Sequence, residues 1–336
     1  MNTTQLPKKI VLMFPGQGSQ FVGMDKFPRS LIDSNELIEL WQKINFASGK
    51  NLQQIIQSGP IEELTLTENT QPAIVAMSFF YFSILKNCFD LQSREVIVLG
   101  HSLGEYSALL AAGSISLEQA IQMTTIRGRA MQSAVPNNLG SMIALLKVPL
   151  EKIQEATKFV QSQNPQLLVE IANINSADQI VISGHREACN RAVEWLAENH
   201  QSKHRAIPLQ VSAPFHCALM KPVEEIMKQT LEHVTIHKNQ FSYIPNFNAQ
   251  ILDKNTDINL IKKNLLNQIS HSVLWSKSIE TLDPISHCFI DMGPGTVLKG
   301  LLNKIHPATS CLAMDQSTND NMNLVDYKKE ILDFLN

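Results

Sequence analysis

The chain has 336 residues, 44% of them hydrophobic and 18% charged, with a formal net charge of −3. Such a length and apolar content describe a globular protein with a sizeable core, built as one large domain or as a large domain carrying a smaller insert. The small net charge points away from nucleic acid or an anionic membrane as the main partner, and no apolar run approaches the roughly 18 residues of a membrane span.

The first expected element is a short strand, Ile10 to Phe14, ending at Pro15-Gly16-Gln17-Gly18-Ser19. Lys8 and Lys9 precede only this short apolar stretch, so no signal peptide is expected and the protein is expected to be cytoplasmic. Five scattered cysteines, Cys88, Cys189, Cys217, Cys288 and Cys311, lack Cys-x-x-Cys spacing and read as reduced thiols, with no disulfide and no metal site. Helical periodicity dominates from Ser30 to Lys86, with the turn signal Ser58-Gly59-Pro60 inside it. Thr70-Gln71-Pro72 is expected to open an apolar helix, with Pro72 in its first turn.

The segment VIVLGHSLGEYSALLAAG, from Val96 to Gly113, is the most informative. Val96 to Leu99 are apolar without alternation, which fits a strand covered on both faces. Tyr106, Leu109, Leu110 and Ala111 then fall at helical spacing. The chain must reverse between them on a tight turn, which glycine permits on either side of Ser102. This is the G-x-S-x-G pattern, which lifts a serine Oγ above the sheet near a helix N-terminus. The backbone N–H of Leu103 would then be free to stabilise an oxyanion. A plain glycine-rich turn with an incidental serine is the alternative.

A helix from Leu117 to Ala134 follows, stopped by Pro136. After Gly140 the order becomes strand (SMIALL), helix (LEKIQEATKFV), two strands (LVEIANIN, QIVISG), helix (REACNRAVEWLAENH) and strand (HRAIPLQV). That order is the ferredoxin-like unit of about 70 residues. It is placed as an insert over 138–205, between the two halves of a core formed by 1–137 and 206–336. From Val211 the pattern returns to mixed α/β: helix KPVEEIMKQTLEHV, strand QFSYIPNF, a helix near LIKKNLLNQI, and strand HCFIDMGPG running into TVLKGLLNKI.

A serine nucleophile needs a base. The chain has ten histidines. His101 adjoins Ser102, but neighbours on a tight turn point apart. His185, His200 and His204 have polar, surface-like surroundings in the insert. His216, in VSAPFHCALMKP, lies on an expected loop, where catalytic bases are common. Spacing alone leaves it one candidate among several.

Five ordered segments carry a family resemblance: FPGQGSQFVGM, GHSLGEYSAL, RGRAMQSAVP, PFHCALMKP and DMGPGTVLKGLL. Together they resemble the malonyl-CoA:acyl-carrier-protein transacylase family over nearly the whole chain. SGPIEELTLTENTQPAI and NINSADQIVISGH are weaker echoes. The resemblance implies an α/β-hydrolase-like core with a ferredoxin-like insert, in accord with the order of elements above. It implies Ser102 as nucleophile and His216 as base, with Gln268 at the place that orients the histidine. The backbone N–H groups of Gln17 and Leu103 would form the oxyanion hole. Arg127 would bind the malonyl carboxylate, since a guanidinium matches a carboxylate with two parallel hydrogen bonds; Arg129 reads as a surface ion pair. His101, Phe215 and Gln17 would line the substrate site. Asp291, at a strand end, reads as a bonding partner of nearby backbone.

The implied substrates are malonyl-CoA and a phosphopantetheinylated acyl carrier protein, with no bound cofactor and a monomeric enzyme. Fatty acid or polyketide synthesis would be served. Phe215 stands where bacterial fatty-acid enzymes commonly have serine and resembles the malonyl-selective acyltransferases of polyketide synthases. Ala177 and Ser272 stand where the family often has proline, and read as local backbone changes. Two other functions are weighed against malonyl transfer. An acyl hydrolase that clears polyketide carrier proteins would use Ser102 and His216 but have no use for a cation at Arg127. A non-catalytic docking module would need none of the three.

Overall fold

The computed structural model describes residues 9–136, 138–200, 202–316 and 322–335. Its strands are β1 (Lys9–Phe14), β2 (Val96–Gly100), β3 (Gly140–Leu146), β4 (Val169–Ser176), β5 (Gln179–His185), β6 (Arg205–Pro208), β7 (Ser242–Ile244), β8 (His287–Asp291) and β9 (Cys311–Ala313). They form two sheets.

The first sheet has the order β7-β2-β1-β8-β9, and its strand pairs are parallel. Its central strands explain the unbroken apolar runs in the sequence. Ile10, Leu12, Val96 and Val98 point into one hydrophobic cluster, packed with the helices Thr67–Cys88 and Gly104–Ala111. Val11, Met13, Ile97 and Leu99 point into a second cluster with Trp275, Leu298 and Leu302. A strand buried on both faces has no polar side to alternate with. The carboxyl ends of β1 and β2, which lie side by side, carry the Gly16-Gln17 turn and Ser102 to the same edge.

The second sheet is antiparallel, in the order β4-β5-β3-β6. Helices Leu150–Gln163 and Arg186–Asn199 bury Ile153, Val160, Ala192 and Leu196 against it. Along the chain these elements run β-α-β-β-α-β, as the periodicity indicates.

Several boundaries differ from expectation. The helix carrying Pro72 begins at Thr67, so Pro72 lies in its second turn. Its start is polar in sequence but buried in the structure: Asn69 Nδ2 donates to the Glu63 carbonyl and Thr70 Oγ1 to that of Leu64. Hydrogen-bonded polar residues mask the onset of a helix that apolar periodicity would otherwise mark. The expected strand QFSYIPNF shortens to Ser242–Ile244. Helices Trp275–Glu280 and Leu324–Leu335 and strand β9 are additional. No described helix is long and apolar enough to cross a membrane.

Candidate functional site

Ser102 stands at the turn between β2 and helix Gly104–Ala111, with φ of 52°. Left-handed backbone at a non-glycine residue is strained, and here it aims the serine side chain off the sheet. The flanking glycines are required by space. A Cβ on Gly100 would stand 2.0 Å from the Gly104 carbonyl, and one on Gly104 would stand 2.1 Å from the Phe14 carbonyl oxygen. Asn246 holds the turn: its Oδ1 accepts from the Ser102 N–H at 2.7 Å and its Nδ2 donates to the Gly100 carbonyl at 2.6 Å.

His216 also has positive φ, 58°, in the loop before helix Lys221–Glu232. Its Nδ1–H donates to the backbone carbonyl of Gln268 at 2.7 Å. That bond leaves Nε2 as the acceptor, and Ser102 Oγ–H donates to it at 2.7 Å. Burial, reinforced by the Arg127 charge, pulls the His216 pKa down to about 3. The imidazole is therefore neutral and ready to take a proton. None of the other histidines bonds to Ser102. His101 Nε2 meets Asn175 Oδ1 at 2.8 Å, and His185 Nδ1 accepts from the Leu168 N–H.

Arg127 projects from helix Leu117–Ser133 and is 1% exposed. Its Nη2 donates to Ser102 Oγ at 3.2 Å and to Gln268 Oε1 at 2.6 Å; its Nη1 donates to Gln71 Oε1 at 2.8 Å. Its Nε is buried without a hydrogen-bond partner. None of the ion pairs among the described residues involves it. Arg129, in contrast, pairs with Glu68 at the surface.

These groups face one cavity of about 180 Å³, whose lining includes Gln17, His101, Ser102, Leu103, Arg127, Phe215 and His216. The backbone N–H groups of Gln17 and Leu103 donate to no acceptor among the described residues. Gln268 sits behind His216, and its side chain bridges Arg127 to Glu105, Nε2 to Oε2 at 2.7 Å. Asp291 stands apart: its Oδ2 accepts from the Lys299 N–H at a helix start.

The sequence reading did not single out Gln71, Glu105 or Asn246. Glu105 carried a signal, as an acid inside an otherwise apolar helix. Gln71 and Asn246 carried none, because amides are common in turns and at helix starts. Among the described residues, no group of three or more His, Cys, Asp or Glu is placed to hold a metal.

The arrangement is a hydroxyl nucleophile with a neutral base, two free amides and a guanidinium in contact with no carboxylate among the described residues, on one cavity. The family model described as "Acyl transferase domain" matches residues 11–327. The malonyl CoA-acyl carrier protein transacylase of Haemophilus influenzae is 37% identical, over 89% of this chain and 92% of that protein. The Bacillus subtilis protein of that name is 36% identical, over 96% and 98%. Among solved structures, the acyl-carrier-protein S-malonyltransferase of Bartonella henselae superposes with a TM-score of 0.87 at 34% identity, covering 97% of this chain and 99% of that one. A malonyl-transacylase in complex with its type II PKS acyl-carrier protein gives a TM-score of 0.85 at 32% identity, covering 96% and 99%.

Proposed function

The chain belongs to the acyl transferase domain family and is a malonyl-CoA:acyl-carrier-protein transacylase, and we propose that it works through a Ser102 ester with Arg127 as the reader of the malonyl carboxylate. The observation that carries this reading is the buried guanidinium, 3.2 Å from the serine oxygen and without a carboxylate partner among the described residues. An acyl hydrolase for uncharged chains has no use for it.

Ser102 Oγ attacks the thioester carbonyl while its proton passes to His216 Nε2. The amides of Gln17 and Leu103 stabilise the oxyanion. Collapse of the intermediate breaks the carbon–sulfur bond, and the coenzyme A thiolate leaves with the proton that His216 held. The phosphopantetheine thiol of the carrier protein then attacks the ester. His216 takes the thiol proton and returns it to Ser102 as the ester bond breaks. The Gln268 carbonyl stabilises the imidazolium formed in each half. Phe215 and His101 shape the cavity around the acyl group.

The architecture supports an α/β-hydrolase-like core, 1–137 and 206–336, around a ferredoxin-like insert. The insert, placed at 138–205 from the sequence, extends to Pro208 if it takes in all of β6. We propose that the enzyme acts as a monomer. Each proposed step draws on a group of the chain or of the substrates, and we propose that no resident cofactor takes part. We place the enzyme in the cytoplasm, serving fatty acid or polyketide synthesis. Intact-mass spectrometry of the chain and a holo carrier protein, after incubation with a mixture of acyl-CoAs, tests the reading. Malonyl is expected on both proteins; a carrier protein that gains no malonyl contradicts it.

A further inference from the structure

Glu105 is completely buried and does not line the substrate cavity. Its Oε1 accepts from Tyr243 Oη at 2.6 Å; its Oε2 accepts from the Asn246 N–H at 3.1 Å and from Gln268 Nε2 at 2.7 Å. The same Gln268 amide accepts from Arg127 through Oε1. We propose that Glu105 is a positioning residue for acyl selection, supplying through the Gln268 amide the counter-charge that holds Arg127 with its guanidinium open to an incoming carboxylate. This deepens the malonyl-transfer reading and rests on it.

An ionised carboxylate only accepts hydrogen bonds. Facing Glu105, Gln268 must present its NH₂, which leaves Oε1 for Arg127. The flipped amide would set NH₂ against a guanidinium that only donates. Gln268 Nε2 also donates to the Ser102 carbonyl at 2.9 Å, so Glu105 and that carbonyl together fix the amide, and the amide fixes the arginine. A buried cation needs a compensating charge nearby. Direct contact between Glu105 and Arg127 would supply it, but as a two-pronged pair that occupies the fork. With the amide between them, three protein hydrogen bonds are made by Nη1 and Nη2, and the buried Nε has no acceptor. Burial pushes the Glu105 pKa up, while its hydrogen bonds from Tyr243, Gln268 and Asn246 and the Arg127 charge oppose that push.

Glu105 also braces the nucleophile, because Asn246, whose N–H it accepts, holds the Ser102 N–H and the Gly100 carbonyl. A bracing role alone would affect all acyl groups equally, and the proposed role affects those with a carboxylate. Glu105→Gln keeps the shape but removes the counter-charge and one acceptor oxygen facing the Gln268 amide. The test measures the second-order rate of Ser102 acylation in the full chain with malonyl-CoA and with acetyl-CoA. Loss of a hydrogen bond to a charged group predicts a fall of about ten- to hundredfold for malonyl, and of less than about threefold for acetyl. Equal falls, or no fall for malonyl, overturn the proposal. If Glu105→Gln yields no folded protein, Tyr243→Phe removes one donor and leaves the carboxylate. The malonyl-to-acetyl ratio should then drop by about three- to tenfold, and an unchanged ratio overturns the proposal. Wild-type chain is assayed alongside: absence of a malonyl adduct there contradicts the malonyl-transfer reading itself, whereas the ratios in the variants bear on Glu105.

Discussion

Arg127 Nη2 donates to Ser102 Oγ across 3.2 Å, so a buried cation and the nucleophile share a hydrogen bond. In a malonyl thioester one methylene separates the carboxylate from the carbonyl under attack. A side chain that reads that carboxylate must therefore stand beside the nucleophile, and Arg127 does.

Replacing Arg127 should change which acyl group is loaded. Without the guanidinium a malonyl carboxylate is buried unpaired, and breaking such a pair costs about 3–5 kcal/mol. Malonyl loading by Arg127→Ala should fall by about two to four orders of magnitude, while acetyl loading persists or rises. Arg127→Lys should rescue poorly, since an ammonium cannot reproduce the fork. An unmoved malonyl-to-acetyl adduct ratio would remove Arg127 from substrate recognition and favour the hydrolase.

Phe215 is buried and shares the cavity lining with Ser102. Phe215→Ser opens space beside the acyl α-carbon. A methyl group in an apolar pocket is worth about 1–3 kcal/mol, so the methylmalonyl-to-malonyl loading ratio should rise by up to about two orders of magnitude. Competition between the two coenzyme A esters measures it, and an unchanged ratio means that the ring does not face the α-carbon.

The pH dependence follows from His216, held at about 3 by burial and then by Arg127. The native imidazole stays neutral where the unfolded chain, at about 6.5, takes up a proton. His216 therefore subtracts stability progressively as pH falls from about 6.5 toward 3. His216→Gln should lose less Tm than wild type between about pH 7.5 and 5. Malonyl kcat/KM should show no inflection near pH 6.5 from this residue, and one that tracks His216 would mean a solvated base.

Gly104→Ala should displace the nucleophile. The new Cβ would meet the Phe14 carbonyl oxygen at 2.1 Å and that of Pro15 at 2.7 Å, and both of these are backbone atoms. The cost should exceed the about 1–3 kcal/mol of ordinary overpacking. A calorimetric scan should show a lower Tm, and Ser102 acylation should be lost. Unchanged acylation would place the elbow elsewhere.

The elbow was legible because its chemistry is local: a strand buried on both faces, glycine at the points of backbone contact, and a helix follow one another in Val96–Gly113. The β-α-β-β-α-β order was legible for the same reason, since each element carries its own periodicity. The partners of Arg127 were not. Gln71 is 56 positions away in sequence and Gln268 is 141, and an amide shows no pattern until the fold brings it to a charge. Ser102 and His216, 114 positions apart, could be paired only through the family resemblance. Glu105 was not singled out although a charge in an apolar helix is a local signal, and its partners Tyr243, Asn246 and Gln268 all come from distant segments.

The central claim is that malonyl passes through an ester on Ser102 to a carrier thiol. Its most direct test is to load the chain with malonyl-CoA, remove the coenzyme, locate the adduct by peptide mass spectrometry, and chase with holo carrier protein or with buffer alone. The account predicts one malonyl group on the Ser102 peptide, none in Ser102→Ala, rapid transfer to the carrier protein and slow loss to water. An adduct that survives in Ser102→Ala or maps to Cys217, or an ester lost to water as fast as to the carrier, would contradict it.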